Sequence, residues 1–176
     1  MHETVAEFIE KMGLLLEGEG LPRIAGRLFG FLLVHPESFS LDELAEQLQV
    51  SKASISTNAR HLEQHGILER TSEPGNRRDY YRMAPDAWEG MLRAAQQKWN
   101  TMRVLLTAGA AALPDEMEVA RARLIEAEQF HLLLLDGVER MIGRWSRRQA
   151  GLGAEGAEGL EQPRYDASPA GASEET

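Results

Sequence analysis

Two short amphipathic helices joined by a two-residue connection constrain the fold of this chain most strongly. Ser40-Leu41-Asp42-Glu43 has the pattern of a capping box, in which the Ser40 hydroxyl accepts from the Glu43 amide and the Glu43 carboxylate accepts from the Ser40 amide. After Gln49-Val50, Ser51 caps a second helix whose expected end is Gly66. So brief a connection between two capped helices predicts a helix-turn-helix.

Two strand patterns follow this pair of helices. Residues 67–71 and 79–83 alternate in the manner of strands and enclose a Pro-Gly turn that carries Arg77 and Arg78. Apolar residues at helical spacing predict further helices over residues 4–17, from Pro22 to His35, over 85–113 and over 114–148. The predicted fold is mainly α with a small β-hairpin wing.

The predicted organisation is a winged helix-turn-helix domain with dimerisation helices before and after it. Residues 1–20 form the N-terminal dimerisation helix, 21–84 the winged helix-turn-helix and 85–148 the C-terminal helical arm. Residues 149–176 are acidic, rich in glycine and poor in large apolar side chains, so we expect them to be disordered.

The overall charge of −9 disfavours a nucleic-acid partner when it is taken as an average. Residues 51–82, however, hold six basic and four acidic side chains, so the segment with the helix-turn-helix pattern is net positive. Cysteine is absent, which excludes disulfides and thiolate zinc sites. Because no run of about 18 apolar residues appears, we expect a cytoplasmic protein without membrane contact.

The second helix of the pair has one apolar side and one small, polar side. Ile55, Ala59 and Leu62 form the apolar side, and a turn of about 100° per residue places the polar side chains opposite. A helix that enters the major groove of DNA needs such a bare side, from which hydroxyl and cationic groups reach bases and phosphates. The alternative is a solvated, serine-rich face. The predicted DNA contacts are Ser51, Lys52, Ala53, Ser54, Ser56, Thr57 and Arg60.

The hairpin tip is the second predicted DNA contact. Arg77 and Arg78 suit a minor groove, where narrow A·T-rich segments concentrate negative potential. Alternatively, the two arginines only solvate the turn or pair with Asp79.

The last predicted helix carries a seam typical of a coiled coil. Its apolar residues alternate at spacings of four and three, which favours a homodimer. The predicted dimer interface comprises Phe8, Met12, Leu124, His131, Leu134, Leu135, Val138, Met141 and Trp145.

Four ordered blocks resemble the GbsR-type branch of the MarR-like winged-helix repressors. They are GLPRIAGRLFG at 20–30, SLDELA at 40–45, SKASISTN at 51–58 and PGNRRDYY at 74–81, and the resemblance covers roughly residues 5–145. It implies a sequence-specific transcriptional regulator that binds a pseudo-palindromic operator as a homodimer, with helix 52–64 in the major groove and the wing in the minor groove. Some members sense choline, so a quaternary ammonium effector is also implied. Asn76 departs from the pattern, since an acidic residue is usual there.

Other functions have weaker support in the sequence. His61 and His65 have the spacing of a zinc pair, but Glu63 lies midway instead of directly after the first histidine, so we expect no metal and no cofactor. No phosphate loop or nucleophile elbow is present, which disfavours an enzyme. A winged helix that serves protein contacts alone remains the alternative. An aromatic effector cage of Tyr80, Tyr81, Trp88 and Trp99 is weighed against an ordinary core role for these rings.

Overall fold

The computed structural model describes residues 2–72 and 78–154, with side chains described up to Gly151. The chain begins with a helical hairpin, continues into two short helices and a small sheet, and ends in two long helices joined by a 3₁₀ turn at Asp115–Met117. The elements are α1 (Glu3–Gly18), α2 (Arg23–Val34), β1 (Phe39–Ser40), α3 (Leu41–Leu48), α4 (Lys52–Gln64), β2 (Leu68–Ser72), β3 (Asp79–Met83), α5 (Ala87–Ala112) and α6 (Glu118–Ala154).

Helices α1 and α2 approach each other closely because α2 carries two glycines on the contact side. A Cβ added to Gly26 would lie 2.6 Å from the Met12 carbonyl oxygen, and one added to Gly30 would lie 3.0 Å from the Met12 Cβ. Without side chains, Gly26 and Gly30 let the backbone of α1 lie directly against α2. Helix α1 therefore packs directly on the winged helix-turn-helix and does not project from it.

The sheet has three antiparallel strands in the order β1-β3-β2. Phe39 pairs with Tyr81, and Leu68 pairs with Met83. Strand β1 was not predicted, because two residues give no alternation and Ser40 carries the signal of a helix cap. Ser40 serves both elements, since it pairs with β3 and its hydroxyl accepts from the Glu43 amide at 3.3 Å.

The core lies under the helix-turn-helix. Side chains from α1 to β3 meet in one cluster, which consists of Ile9, Ala25, Leu28, Phe29, Phe31, Leu32, Leu44, Leu48, Ile55, Ala59, Leu62, Leu68 and Tyr81. Helices α5 and α6 pack on each other as a helical arm, and the buried apolar side chains described on them are Ala87, Ala110, Val138 and Ile142.

Several boundaries differ from the predictions. The 3₁₀ turn precedes α6, so the last helix begins at Glu118 instead of Pro114. Helix α6 continues to Ala154, beyond the predicted end at residue 148, because Gly151 and Gly153 do not interrupt it. Residues 155–176, which belong to the predicted disordered tail, lie outside the described residues. The mainly α fold with a winged helix-turn-helix is confirmed, and none of the described helices is long and apolar enough to cross a membrane.

Candidate nucleic-acid interface

Helix α4 is held by its apolar side and presents the opposite side to solvent. Ile55, Ala59 and Leu62 are fully buried against the core, as predicted. Ser51 caps the helix, and its Oγ accepts from the Ser54 amide at 3.2 Å. The turn before it is tight because Gln49 adopts a left-handed conformation with φ of 55°. This turn fixes the angle at which α4 leaves α3.

The outer side of α4 is bare and polar. Ser51, Lys52, Ala53, Thr57 and Arg60 are exposed, whereas Ser54 and Ser56 are half-buried. The exposed side chains bond along the helix: the Thr57 hydroxyl donates to the Ala53 carbonyl at 3.1 Å, and Arg60 Nη2 donates to Ser56 Oγ at 2.9 Å. A guanidinium has five N–H donors, so the bond to Ser56 leaves Arg60 able to bind a phosphate or a guanine edge.

Asn58 is a polar residue of α4 that the prediction missed. It is 6% exposed, and its Nδ2 donates to the Ser54 carbonyl at 2.8 Å. Asn58 lies three residues after Ile55 and four before Leu62, which places it beside the apolar stripe of α4. This spacing could have predicted its burial from the sequence. Asn58 helps to hold the helix and is not part of the outer surface.

Charged groups surround the start of α4. Lys52 Nζ lies 2.8 Å from Asp42 Oδ1 on α3. The hydrogen bond from Lys52 lowers the pKa of Asp42, and the charge of Arg78 acts in the same direction. Arg78 directly precedes β3 and is exposed. The Ser40 amide and hydroxyl lower the pKa of Glu43 most, and the charge of Arg78 lowers it further. Arg77 lies outside the described residues.

Ion pairs cross the two strands of the wing. Arg70 Nη1 donates to Asp79 Oδ2 at 3.3 Å, and Arg82 Nε donates to Glu69 Oε1 at 2.5 Å. Asp79, the residue considered as a partner for the tip arginines, therefore bonds to Arg70 on the neighbouring strand.

The predicted aromatic cage does not assemble within the chain. Tyr81 is 3% exposed in the core, while Trp99 and Trp88 line two different cavities. Trp88 and Trp99 are eleven residues apart on α5, a rise of roughly 16 Å, whereas cation–π contact requires a cation within about 6 Å of each ring. The structure therefore does not bring Tyr81, Trp88 and Trp99 together within one chain, and an effector site that includes Tyr80 stays a prediction.

The predicted dimer residues lie mainly on surfaces that contact their own chain. Phe8 and Met12 pack against the core of the winged helix, and Val138 is fully buried between α5 and α6. A single chain already buries Val138 because the inner face of α6 packs on α5, which leaves Val138 no exposed surface for a second chain. Met141 is exposed. Half-buried on α6 are Leu124, His131, Leu134, Leu135 and Trp145, whose role between chains stays a prediction.

A cavity of about 760 Å³ lies between the end of α4 and α5. Trp99, Met91 and Leu105 contribute to a mostly apolar lining, which also includes His61 and Lys98. The His61 Nε2 is buried and has no hydrogen-bond partner among the residues that the structure describes. The His61 and His65 rings lie 4.5 Å apart, and the described residues contain no group of three or more side chains that could hold a metal ion.

Comparisons with known proteins agree with this geometry. The profile of the MarR family matches residues 19–79. The HTH-type transcriptional regulator MmpR5 of Mycobacterium tuberculosis (strain ATCC 25618 / H37Rv) is 39% identical over 145 residues, which cover 82% of this chain and 88% of MmpR5. The chain belongs to the MarR family. It is therefore a DNA-binding transcriptional regulator and not an enzyme, as predicted.

Two further proteins resemble this MarR-family chain. A crystal structure of a transcriptional regulator aligns with a TM-score of 0.77 and 38% identity, covering 82% of this chain and 99% of that chain. The HTH-type transcriptional repressor GbsR of Bacillus subtilis (strain 168) is 28% identical over 112 residues, covering 63% of this chain and 62% of GbsR. The predicted GbsR-type branch stays a prediction.

Proposed function

We propose that the protein is a homodimeric repressor that binds a pseudo-palindromic operator, with α4 in the major groove and the wing in the minor groove. The observation that carries this proposal is the outer side of α4, on which small side chains surround the exposed Lys52, Thr57 and Arg60. A helix that docked on another protein would be expected to expose apolar side chains there. The polar surface therefore favours DNA over the alternative of a protein-interaction module.

The arm supports the proposed dimer. Phe130 and Leu133 are 57% and 70% exposed. Their spacing of three residues places them on the same outer side of α6, whereas Met141 lines a cavity together with Trp88 and other residues of α5. Exposed apolar side chains aligned in this way are typical of a surface that another subunit covers. The proposed interface on α6 is therefore this outer stripe instead of the inner seam.

An effector would bind in the cavity beside α4 because a ligand there touches both the recognition helix and the arm. The lining favours an apolar molecule with one hydrogen-bonding group, since no described residue bonds to the buried His61 Nε2 and most of the neighbouring side chains are apolar. A quaternary ammonium such as choline fits less well, because Trp99 is the only Phe, Tyr or Trp among the described lining residues and Lys98 repels cations.

The decisive experiment selects binding sites from random DNA with the purified protein and measures affinity by fluorescence anisotropy. We expect a two-fold-related consensus. Arg60→Ala should weaken binding about 5- to 150-fold, because one good base contact contributes about 1–3 kcal/mol. Arg140→Ala is the matched control, since Arg140 pairs with Asp136 on α6 away from α4. Selection of unrelated sequences, or equal affinities of both variants, would contradict the proposal.

A further inference from the structure

The winged helix-turn-helix and the arm meet at a backbone contact between Gly66 and Gly90. Gly66 follows α4 and adopts a φ of +68°. A Cβ added to Gly90 would lie 2.5 Å from the Gly66 carbonyl oxygen and 3.0 Å from its carbonyl carbon. These distances are shorter than van der Waals contact, so the two main chains approach as closely as they do because both residues lack a side chain.

Contacts around this point hold the start of α5 to the winged helix. The Phe29 and Trp88 rings meet edge to face with centroids 6.1 Å apart. The Ala84 amide donates to the Ile67 carbonyl at 3.0 Å, and Ala87 is 2% exposed. Cavities of about 760 and 680 Å³ adjoin α5 near the contact, and Met91 lines both. Because a Cβ on either glycine would meet the main chain of the other, the glycine contact limits how closely α5 can approach the turn after α4.

The same turn of α5 is tied to α6. Ser146 Oγ donates to Glu89 Oε2 at 3.0 Å, and Arg93 Nε donates to Glu89 Oε1 at 2.8 Å. Consecutive contacts therefore run from α6 through Glu89 and Gly90 to Gly66, which directly follows α4. A change in the Gly66–Gly90 separation would tilt α4 relative to the arm.

We propose that Gly66 and Gly90 are positioning residues that set the distance between the two recognition helices of a dimer, and so the half-site spacing that the operator must have. This inference rests on the proposed dimeric DNA binding. A two-fold protein binds half-sites separated by about one helical turn of DNA or a multiple of it. If the arm is joined at a different angle, each α4 still fits its half-site, but both cannot fit at once.

The test uses full-length Gly90→Ala and the matched control Gly109→Ala, which lies in the same helix and whose Cβ meets Leu124 Cδ1 at an ordinary 3.4 Å. The probes are the selected palindrome, versions with the half-site separation changed by one or two base pairs, and a single half-site. We expect Gly90→Ala to bind the native spacing about tenfold more weakly and to prefer another spacing, because bivalent binding requires matched geometry. Single half-site affinity should stay within about twofold, and the control should behave like the native protein.

Trp88→Leu provides a second variant, which loosens the junction by removing the contact with Phe29 and should flatten the spacing preference. If circular dichroism shows that Gly90→Ala does not fold, the spacing preference of Trp88→Leu alone decides the test. Native spacing profiles in the folded variants would overturn the inference. Failure of the proposed function is a different result, since the native protein itself would then bind the palindrome no better than a single half-site.

Discussion

The winged helix-turn-helix and the arm use their apolar residues in opposite ways. The winged helix collects thirteen buried side chains in one cluster. Helices α5 and α6, at 26 and 37 residues, bury four of their described side chains and leave Leu105, Phe130 and Leu133 more than half exposed. A two-helix hairpin has no third layer to cover its outer faces. This difference favours the proposal that the winged helix is stable within one chain, whereas the second chain of the proposed dimer completes the arm.

We expect the largest difference between the two regions when one leucine is truncated in each. Leu28→Ala removes a fully buried side chain and should lower the free energy of unfolding by about 2–5 kcal/mol. Leu133→Ala should cost less than about 1 kcal/mol within a chain, because the side chain is 70% exposed. Urea denaturation at several protein concentrations measures both. The effect of Leu133→Ala should depend on concentration, as expected for a dimer contact, and equal, concentration-independent losses would contradict the comparison.

Two neighbouring residues of α6 distinguish its inner and outer faces. Leu133→Glu places a charge in the outer stripe and should weaken dimerisation by about a hundredfold or more while helicity is retained. Leu134 is half-buried on the side of α6 that packs on α5, so Leu134→Glu should instead lower the melting temperature of the arm. Light scattering and circular dichroism on the same samples separate these effects. A stable dimer in Leu133→Glu would show that the outer stripe is not the interface.

The winged helix was easier to predict from the sequence than the arm for a physical reason. Caps such as Ser40 and Ser51, and the apolar stripe of α4, report on local bonds and on a core within one chain. The apolar spacing on α6 shows that a helix has a contact face, but it does not say whether α5 or a second chain covers that face. Contacts between segments distant in the sequence, such as β1 with β3 or Gly66 with Gly90, have no local pattern.

Substitution of Ser40 in the capping box measures how much local hydrogen bonds contribute to the stability of the winged helix-turn-helix. Ser40→Ala removes the acceptor for the Glu43 amide and a donor to the Glu43 carboxylate, and should cost about 1 kcal/mol. Bonds from the Ser40 amide and hydroxyl lower the pKa of Glu43 in the folded state. The stabilisation is therefore present above the unfolded pKa and is lost as the pH falls through the lowered folded value.

The difference between native and Ser40→Ala stability should accordingly shrink from pH 7 to strongly acidic pH. Ser51→Ala is the matched control, because Ser51 caps α4 through the Ser54 amide without a carboxylate partner. Its loss of stability should not follow the titration of Glu43. Thermal denaturation across this pH range measures both variants, and parallel curves for the two would contradict the role of the Glu43 carboxylate.

The smallest effect is expected from removing residues 155–176, which tests whether the chain's own end covers the arm. This segment has six acidic residues and one arginine, a net charge of −5, and its large apolar or aromatic side chains are Leu160 and Tyr165. Because the segment has so few apolar groups, we expect it to leave the outer stripe of α6 uncovered. Its removal should therefore change the melting temperature by less than about 2 °C. Affinity for non-specific DNA should rise by less than about threefold at low salt, because a like charge is removed.

A variant with Glu155, Glu158 and Glu161 replaced by glutamine separates charge from docking. If repulsion is the only effect, this variant should bind DNA with an affinity between those of the native and truncated proteins. Added salt screens the repulsion, so it should make the three affinities equal. A fall of several degrees in melting temperature on truncation, absent from the glutamine variant, would instead show that the segment packs on the chain. The arm would then be covered at least partly from within, and the contrast between a self-sufficient winged helix and an incomplete arm would weaken.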